Sequence, residues 1–122
     1  PRSTLFPYTT LFRSARAAHV VNVKLMKAGV GEALDVIAAA RAAGLRLMMG
    51  GNVESILAMT MAACVAAGAG GFDFIDLDTP AFIASHPFAG GFARTGPHID
   101  LRPVTAGHGV RLREETAGDA AG

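Results

Sequence analysis

Residues 45–78 read LRLMMGGNVESILAMTMAACVAAGAGGFDFIDLD. The stretch opens on Leu45 to Met49, an apolar run of strand length. Gly50-Gly51-Asn52 supplies a turn. The run that follows predicts a helix, with Ile56, Met59, Thr60, Ala63, Cys64 and Ala67 in one stripe at helical spacing. Gly68 to Gly71 stops it, and Phe72 to Leu77 returns to a strand. Strand, helix and strand in so short a space is the grammar of a right-handed parallel crossover.

The same unit recurs toward the N-terminus. His19 to Lys24 (HVVNVK) is a β-branched run of the kind found in buried strands. Lys27 to Gly31 reads as a turn and Glu32 to Ala43 as a helix, with Leu34, Ile37, Ala38 and Arg41 at helical spacing. Glu32 and Asp35 fall in its first turn, where carboxylates complement the dipole, and Gly44 is placed to end it. After Pro80 the pattern decays into an irregular stretch punctuated by Pro87, Pro97 and Pro103. Two strand-like pieces survive there, His98 to Leu101 and Val110 to Leu112, before a polar, frayed tail from Arg113 to Gly122.

βαβαβ suits two architectures. A doubly wound sheet requires a phosphate-binding glycine turn directly after a strand, whereas Gly68 to Gly71 precedes one. A barrel places its chemistry at the carboxyl ends of its strands. Lys24 ends the first strand, Gly50 to Glu54 follow the second, and Asp76 and Asp78 end the third. The expected fold class is therefore α/β, a partial (β/α) barrel with an irregular C-terminal segment.

Composition narrows the function classes. The chain has 122 residues, 51% hydrophobic and 17% charged, which excludes a disordered polypeptide. Much of the apolar fraction is alanine and Trp is absent, so the core of an isolated globule would be weakly driven. A net charge of +1, with no basic stripe, argues against a nucleic-acid partner. The single cysteine, Cys64, excludes an internal disulfide, fits a reducing, cytoplasmic compartment, and is expected to be a buried structural thiol. The run Ser55 to Ala69 is too short and too alanine-rich to span a bilayer, so no membrane association is expected.

Residues 1–14, PRSTLFPYTTLFRS, differ from everything after them. They show no sustained period and no secretory signal, and TLFPYT is echoed as TLFRSA. The string resembles the in-frame translation of a short-read sequencing adapter. Pro1 to Ser14 is accordingly set apart as a non-native leader, with a genuine short hairpin or leader as the other reading.

Three positions could carry chemistry. A lysine closing a buried strand, Lys24, is costly unless it serves something; desolvation would make it a competent general base. It could equally snorkel to solvent. Lys27 reads as a surface residue. Asp76 and Asp78 alternate with Leu77 and so share one face of a strand, where two acids want a cation, either a metal or a substrate ammonium. They could also be solvated acids flanking a turn, while Asp73, on the opposite face, reads as structural. The turn Gly50 to Glu54 opens the second helix, so its amides could dock a substrate carboxylate, or it is simply a glycine turn with Asn52 as N-cap. The four histidines give no metal-ligand spacing.

The segments VNVKLMKAG, GLRLMMGGNVES, GGFDFIDLDTP, GGF…GP and GHGV, in that order, resemble the closing barrel strands of dipeptide epimerases. These belong to the mandelate racemase/muconate lactonizing enzyme branch of the enolase superfamily. The resemblance runs from about Ala15 to Leu112 and implies strands six to eight of the barrel. It implies that Lys24 removes the proton alpha to a carboxylate, that Mg²⁺ stabilises the enolate, and that a second lysine acts from the other face. It implies that Asp76 and Asp78 bind a dipeptide's amino group, with Gly51 and Glu54 beside the substrate. The metal ligands, the partner lysine and a capping domain would lie upstream, so this chain alone is expected to be inactive. The parent would be a homo-oligomeric isomerase, of the L-Ala-D/L-Glu epimerase kind used in cell-wall peptide metabolism. The alternatives are a muconate cycloisomerase, an o-succinylbenzoate synthase or an N-acylamino-acid racemase of the same superfamily, and, from another class, a non-catalytic α/β interaction module. Asn52 stands where these enzymes usually carry a hydrophobic residue, and Val30 replaces a frequent Gly; either could shift substrate preference.

Overall fold

The computed structural model describes residues 18–113. The leader Pro1 to Ser14 and the tail beyond Arg113 lie outside the described residues. Strand β1 (Val20–Val23), helix α1 (Leu25–Ala42), strand β2 (Arg46–Met49), helix α2 (Ile56–Ala69) and strand β3 (Phe74–Ile75) follow one another as the sequence leads one to expect. The strands form one parallel sheet in the order β1-β2-β3. Val20 pairs with Arg46 and Val23 with Met49, while Met48 pairs with Phe74 and Met49 with Ile75. The ladder runs past each strand end: Gly50 N–H donates to Val23 O at 3.0 Å, and Asp76 N–H to Met49 O at 2.9 Å. The parallel register therefore reaches the residues that carry the chemistry.

Side chains from both helices close over one face of this sheet. Val23, Leu47, Met49 and Leu77 meet Ala33, Ile37 and Ala40 of α1 and Met59, Ala62, Ala63 and Ala66 of α2. The alanines among these let the helices approach the sheet closely but bury little area each.

Both helices depart from the expected boundaries. Helix α1 begins directly after Lys24, and the expected turn shrinks to a break at Gly29, whose φ of 69° is left-handed. Gly29 separates a short first turn from the main helix, and Glu32 lies in the opening turn after that break, with Asp35 just beyond it. The expected stop at Gly44 is present: φ is 67°, Leu45 N–H donates to Ala40 O at 3.0 Å and Gly44 N–H to Arg41 O at 2.9 Å, a Schellman motif. Helix α2 begins at Ile56, after Ser55, and Asn52 is not its N-cap. Its buried face is Met59, Thr60, Ala62, Ala63 and Ala66; Ala67 is exposed, and Ile56 and Cys64 are only half-buried. A helix apolar all round carries no phase in its sequence, which is why the expected stripe is rotated.

The C-terminal stretch is more ordered than its glycines and prolines suggest. The expected strands appear as β6 (His98–Asp100) and β7 (Val110–Leu112), joined by two the sequence does not announce, β4 (Phe88–Gly90) and β5 (Ala93–Thr95). Strand β4 pairs antiparallel with β7, and β5 with β6 through a two-residue Gly96-Pro97 turn, in which Gly96 at φ 57° takes the position that requires positive φ. Arg113 donates its backbone N–H to Pro87 O at 2.7 Å and its Nε–H to Phe88 O at 2.8 Å, so it belongs with this hairpin layer. Gly91 seats the layer on α2. Phe92 N–H donates to the buried Thr60 Oγ1 at 3.2 Å, and a Cβ at Gly91 would lie 2.5 Å from that oxygen.

Candidate active site

Lys24, the turn after β2 and the acids after β3 stand together at the carboxyl end of the sheet, because three parallel strands end in register there. Lys24 is half-buried. Its Nζ donates to Gly51 O at 2.8 Å and to Asn52 Oδ1 at 3.1 Å. It does not simply snorkel; its ammonium is held by two acceptors of one turn. Lys27 is exposed, as expected.

Several contacts stiffen that turn. Asn52 N–H donates to Glu54 Oε1 at 2.8 Å, and Glu54 is buried, with 8% of its surface exposed. Glu54 N–H donates to Thr79 Oγ1 at 3.3 Å, and the same hydroxyl donates to Glu54 O at 3.4 Å, tying the turn to the segment after Asp78. A side chain at Gly51 would run into the Met59 thioether and the Glu54 carboxylate, which would have to shift to admit it. The expected cradle of free helix-terminal amides is not formed: α2 starts at Ile56, and the Glu54 carboxylate already takes the Asn52 amide.

Asp76 and Asp78 do not alternate along a strand, since β3 ends at Ile75. Asp78 has φ −89° and ψ −9°, the start of the short 3₁₀ turn Thr79–Phe82. The two carboxylates are nevertheless brought together: both line a cavity of about 210 Å³ with Leu77, Arg94, Pro97 and Ile99. Arg94, from β5, is a cationic residue of that lining that the sequence reading missed, because nothing local relates it to β3; its Nε–H donates to Gly96 O at 2.9 Å. Asp73 is structural, as expected. It accepts from Leu47 N–H and from Arg46 Nε–H, both at 3.0 Å, and Leu47 N–H and the Arg46 guanidinium hold its carboxyl below the ordinary 3.8. Asp100 is engaged by Arg102 at 2.7 Å, which lowers its pKa likewise.

A larger, mainly apolar cavity of about 470 Å³ borders the lysine turn, lined by Leu25, Met26, Val30, Val53, Ala58 and Met61 among others. Among the described residues no three His, Cys, Asp or Glu side chains gather where they could hold a metal ion. These residues do not fit an Mg²⁺ centre.

Residues 7–116 match the family model described as enolase C-terminal domain-like. The chain belongs to that family. Its members have a (β/α)-barrel type of fold, and the described residues are α/β with a parallel βαβαβ unit. An aromatic dipeptide epimerase from Herpetosiphon aurantiacus is 62% identical over 111 residues, 81% of this chain and 31% of that protein. A solved mandelate racemase/muconate lactonizing protein from the same organism superposes with a TM-score of 0.82 at 60% identity, covering 87% of this chain and 30% of the other. A dipeptide epimerase from Cytophaga hutchinsonii, complexed with Mg and D-Ala-L-Val, gives 0.76 at 30% identity, covering 88% and 30%. This enolase-family chain thus spans about a third of the length of the relatives it matches. Two of these relatives are named as dipeptide epimerases.

Proposed function

We propose that this chain is the C-terminal part of the barrel of a dipeptide epimerase, with β1, β2 and β3 as strands six to eight, and that Lys24 is one of its two acid–base groups. The observation that carries the reading is the Lys24 amine, held at the carboxyl end of β1 by Gly51 O and Asn52 Oδ1. Two strands away, Asp76 and Asp78 line one cavity. Two strand spacings in a sheet come to roughly 10 Å, and a dipeptide extends over roughly 7 Å. A dipeptide whose ammonium rests on the acids can therefore bring its second α-carbon toward the lysine.

In the forward step the neutral Lys24 amine takes the α-proton. The C–H bond breaks, an N–H bond forms, and the electron pair moves into the adjacent carboxylate as an enolate. A second base on the opposite face returns a proton to carbon and inverts the centre. Mg²⁺ would be held in the full-length enzyme by residues other than those described here, and it would supply electrostatic stabilisation of the substrate carboxylate. With three parallel strands among the described residues, too few to close a barrel, the 122-residue chain alone is expected not to epimerise.

The dipeptide class follows the 62%-identical aromatic dipeptide epimerase, and the apolar cavity beside the lysine turn suits a large apolar side chain. An aromatic dipeptide is therefore preferred over L-Ala-L-Glu. In the full-length protein, Lys24→Ala should abolish epimerisation while the thermal transition is kept; retained turnover would sink the reading. Asp78→Asn should raise KM for a dipeptide at least tenfold, the loss of a charge-assisted contact worth about 1.5–3 kcal/mol. An N-acylamino-acid racemase or a cycloisomerase would be indifferent to it.

A further inference from the structure

We infer that Asn52 is a positioning residue for Lys24: its side-chain oxygen, together with Gly51 O, aims the one remaining direction of the Lys24 Nζ at the substrate's α-carbon. The inference rests on the proposed role of Lys24 and deepens it.

Three polar groups of Asn52 are engaged at this turn. The backbone N–H donates to the buried Glu54 carboxylate at 2.8 Å, Nδ2–H donates to Met26 Sδ at 3.3 Å, and Oδ1 accepts from Lys24 Nζ at 3.1 Å. Only the amide oxygen can accept from the ammonium, and the thioether sulfur, a weak acceptor, is compatible with the Nδ2 side that this leaves facing it. Gly51 O sits on the same Nζ at 2.8 Å, in a turn where a larger residue would strike Met59 and Glu54. Two acceptors on one tetrahedral nitrogen leave an ordered remainder. The neutral amine has two N–H donors, and with both engaged its lone pair lies along the remaining direction. The ammonium has a third N–H, and that bond lies along the same direction. The proton that is taken and the proton that is returned thus use one trajectory, the condition for efficient transfer at a fixed distance. With Gly51 O as the single anchor, Nζ would rotate about its Cε bond and spread that direction over a cone.

The test separates positioning from general damage because epimerisation uses two bases on opposite faces. In the full-length enzyme with its Mg²⁺, Asn52→Leu is assayed in D₂O for epimerisation and for deuterium uptake at the α-carbon of each epimer. The expected result is one-sided. Uptake into the epimer whose α-hydrogen faces Lys24 falls at least tenfold together with kcat. Uptake into the opposite epimer, and KM for both, stay within about twofold of the native enzyme. The preserved side also reports that the protein is folded. Asn52→Ser, too short to reach Nζ and free of added apolar bulk, must give the same one-sided loss, and it decides the matter if Asn52→Leu does not fold. Equal loss on both faces with a folded protein, a change in KM alone, or native behaviour would each overturn the positioning role. Lys24→Ala run in parallel distinguishes the two failures. An active Lys24→Ala enzyme removes the functional reading itself, whereas an inactive one beside a native-like Asn52→Leu removes this inference alone.

Discussion

Asp73 holds β2 and β3 together at the end of the sheet away from Lys24. It bonds Leu47 N–H and the Arg46 guanidinium, which also lies over the Phe74 ring at 4.5 Å. Because those donors depress the folded-state pKa below 3.8, the carboxylate contributes stability that is complete above the unfolded value and is lost as pH falls through the folded one. Asp73→Asn in the full-length protein should therefore lower the unfolding midpoint at neutral pH and flatten the decline in stability below about pH 4, read by urea titration across pH. Asp100 should behave in the same sense through Arg102. At this scale the sequence was partly legible. Lys24 and the Asp76/Asp78 pair were visible because an ion at the end of an apolar strand is a local anomaly. Arg94 and the Asn52 contact were not, since each partner lies on a different element.

The elements show where packing, not propensity, sets the boundaries. Helix α1 ends on a glycine whose left-handed φ and two backbone bonds were readable from Gly44 and its neighbours. Gly44→Ala should cost about 1 kcal/mol, since a Cβ at positive φ is strained while open space surrounds it. Gly91→Ala should cost more, about 2–4 kcal/mol. Its φ is 87°, and the new methyl would also meet Thr60 Oγ1 at 2.5 Å and Ile56 Cγ1 at 2.9 Å, pushing the hairpin layer off α2. Differential scanning calorimetry of the two variants would rank them, and an equal cost would mean that the seat on α2 carries no strain. Ile37, 2% exposed on the buried face of α1, should cost about 2–5 kcal/mol on truncation to alanine.

For the molecule as a whole, the sheet ends on two edges that are unpaired among the described residues, β1 and β3. Phe74 and Ile75 on β3 are 42% and 49% exposed, and Val53 and Met26 at the carboxyl end are 74% and 64% exposed. Exposed apolar strand edges invite pairing with further strands. The 122-residue chain prepared alone should therefore self-associate and bind a hydrophobic dye, in sedimentation and fluorescence measurements, and should exchange no α-proton of a dipeptide. A monodisperse monomer would show that this unit closes its own surface. No helix among the described residues is long and apolar enough to cross a membrane.

The order of elements, the parallel sense of the sheet and the placing of Lys24, Asp76 and Asp78 at strand ends were determined by the sequence itself. Glycine stops, β-branched runs and stranded charges act over a few residues, and crossover handedness does the rest. The tertiary structure alone decided which face of α2 is buried, because an alanine-rich helix has no polar side to announce it. It decided that Phe88–Gly90 and Ala93–Thr95 are strands, since each takes its extended form from a partner across a turn or a longer loop. And it decided that Asn52 serves Lys24 instead of capping a helix, because a hydrogen bond between residues 28 positions apart exists only once two parallel strands have brought their ends together.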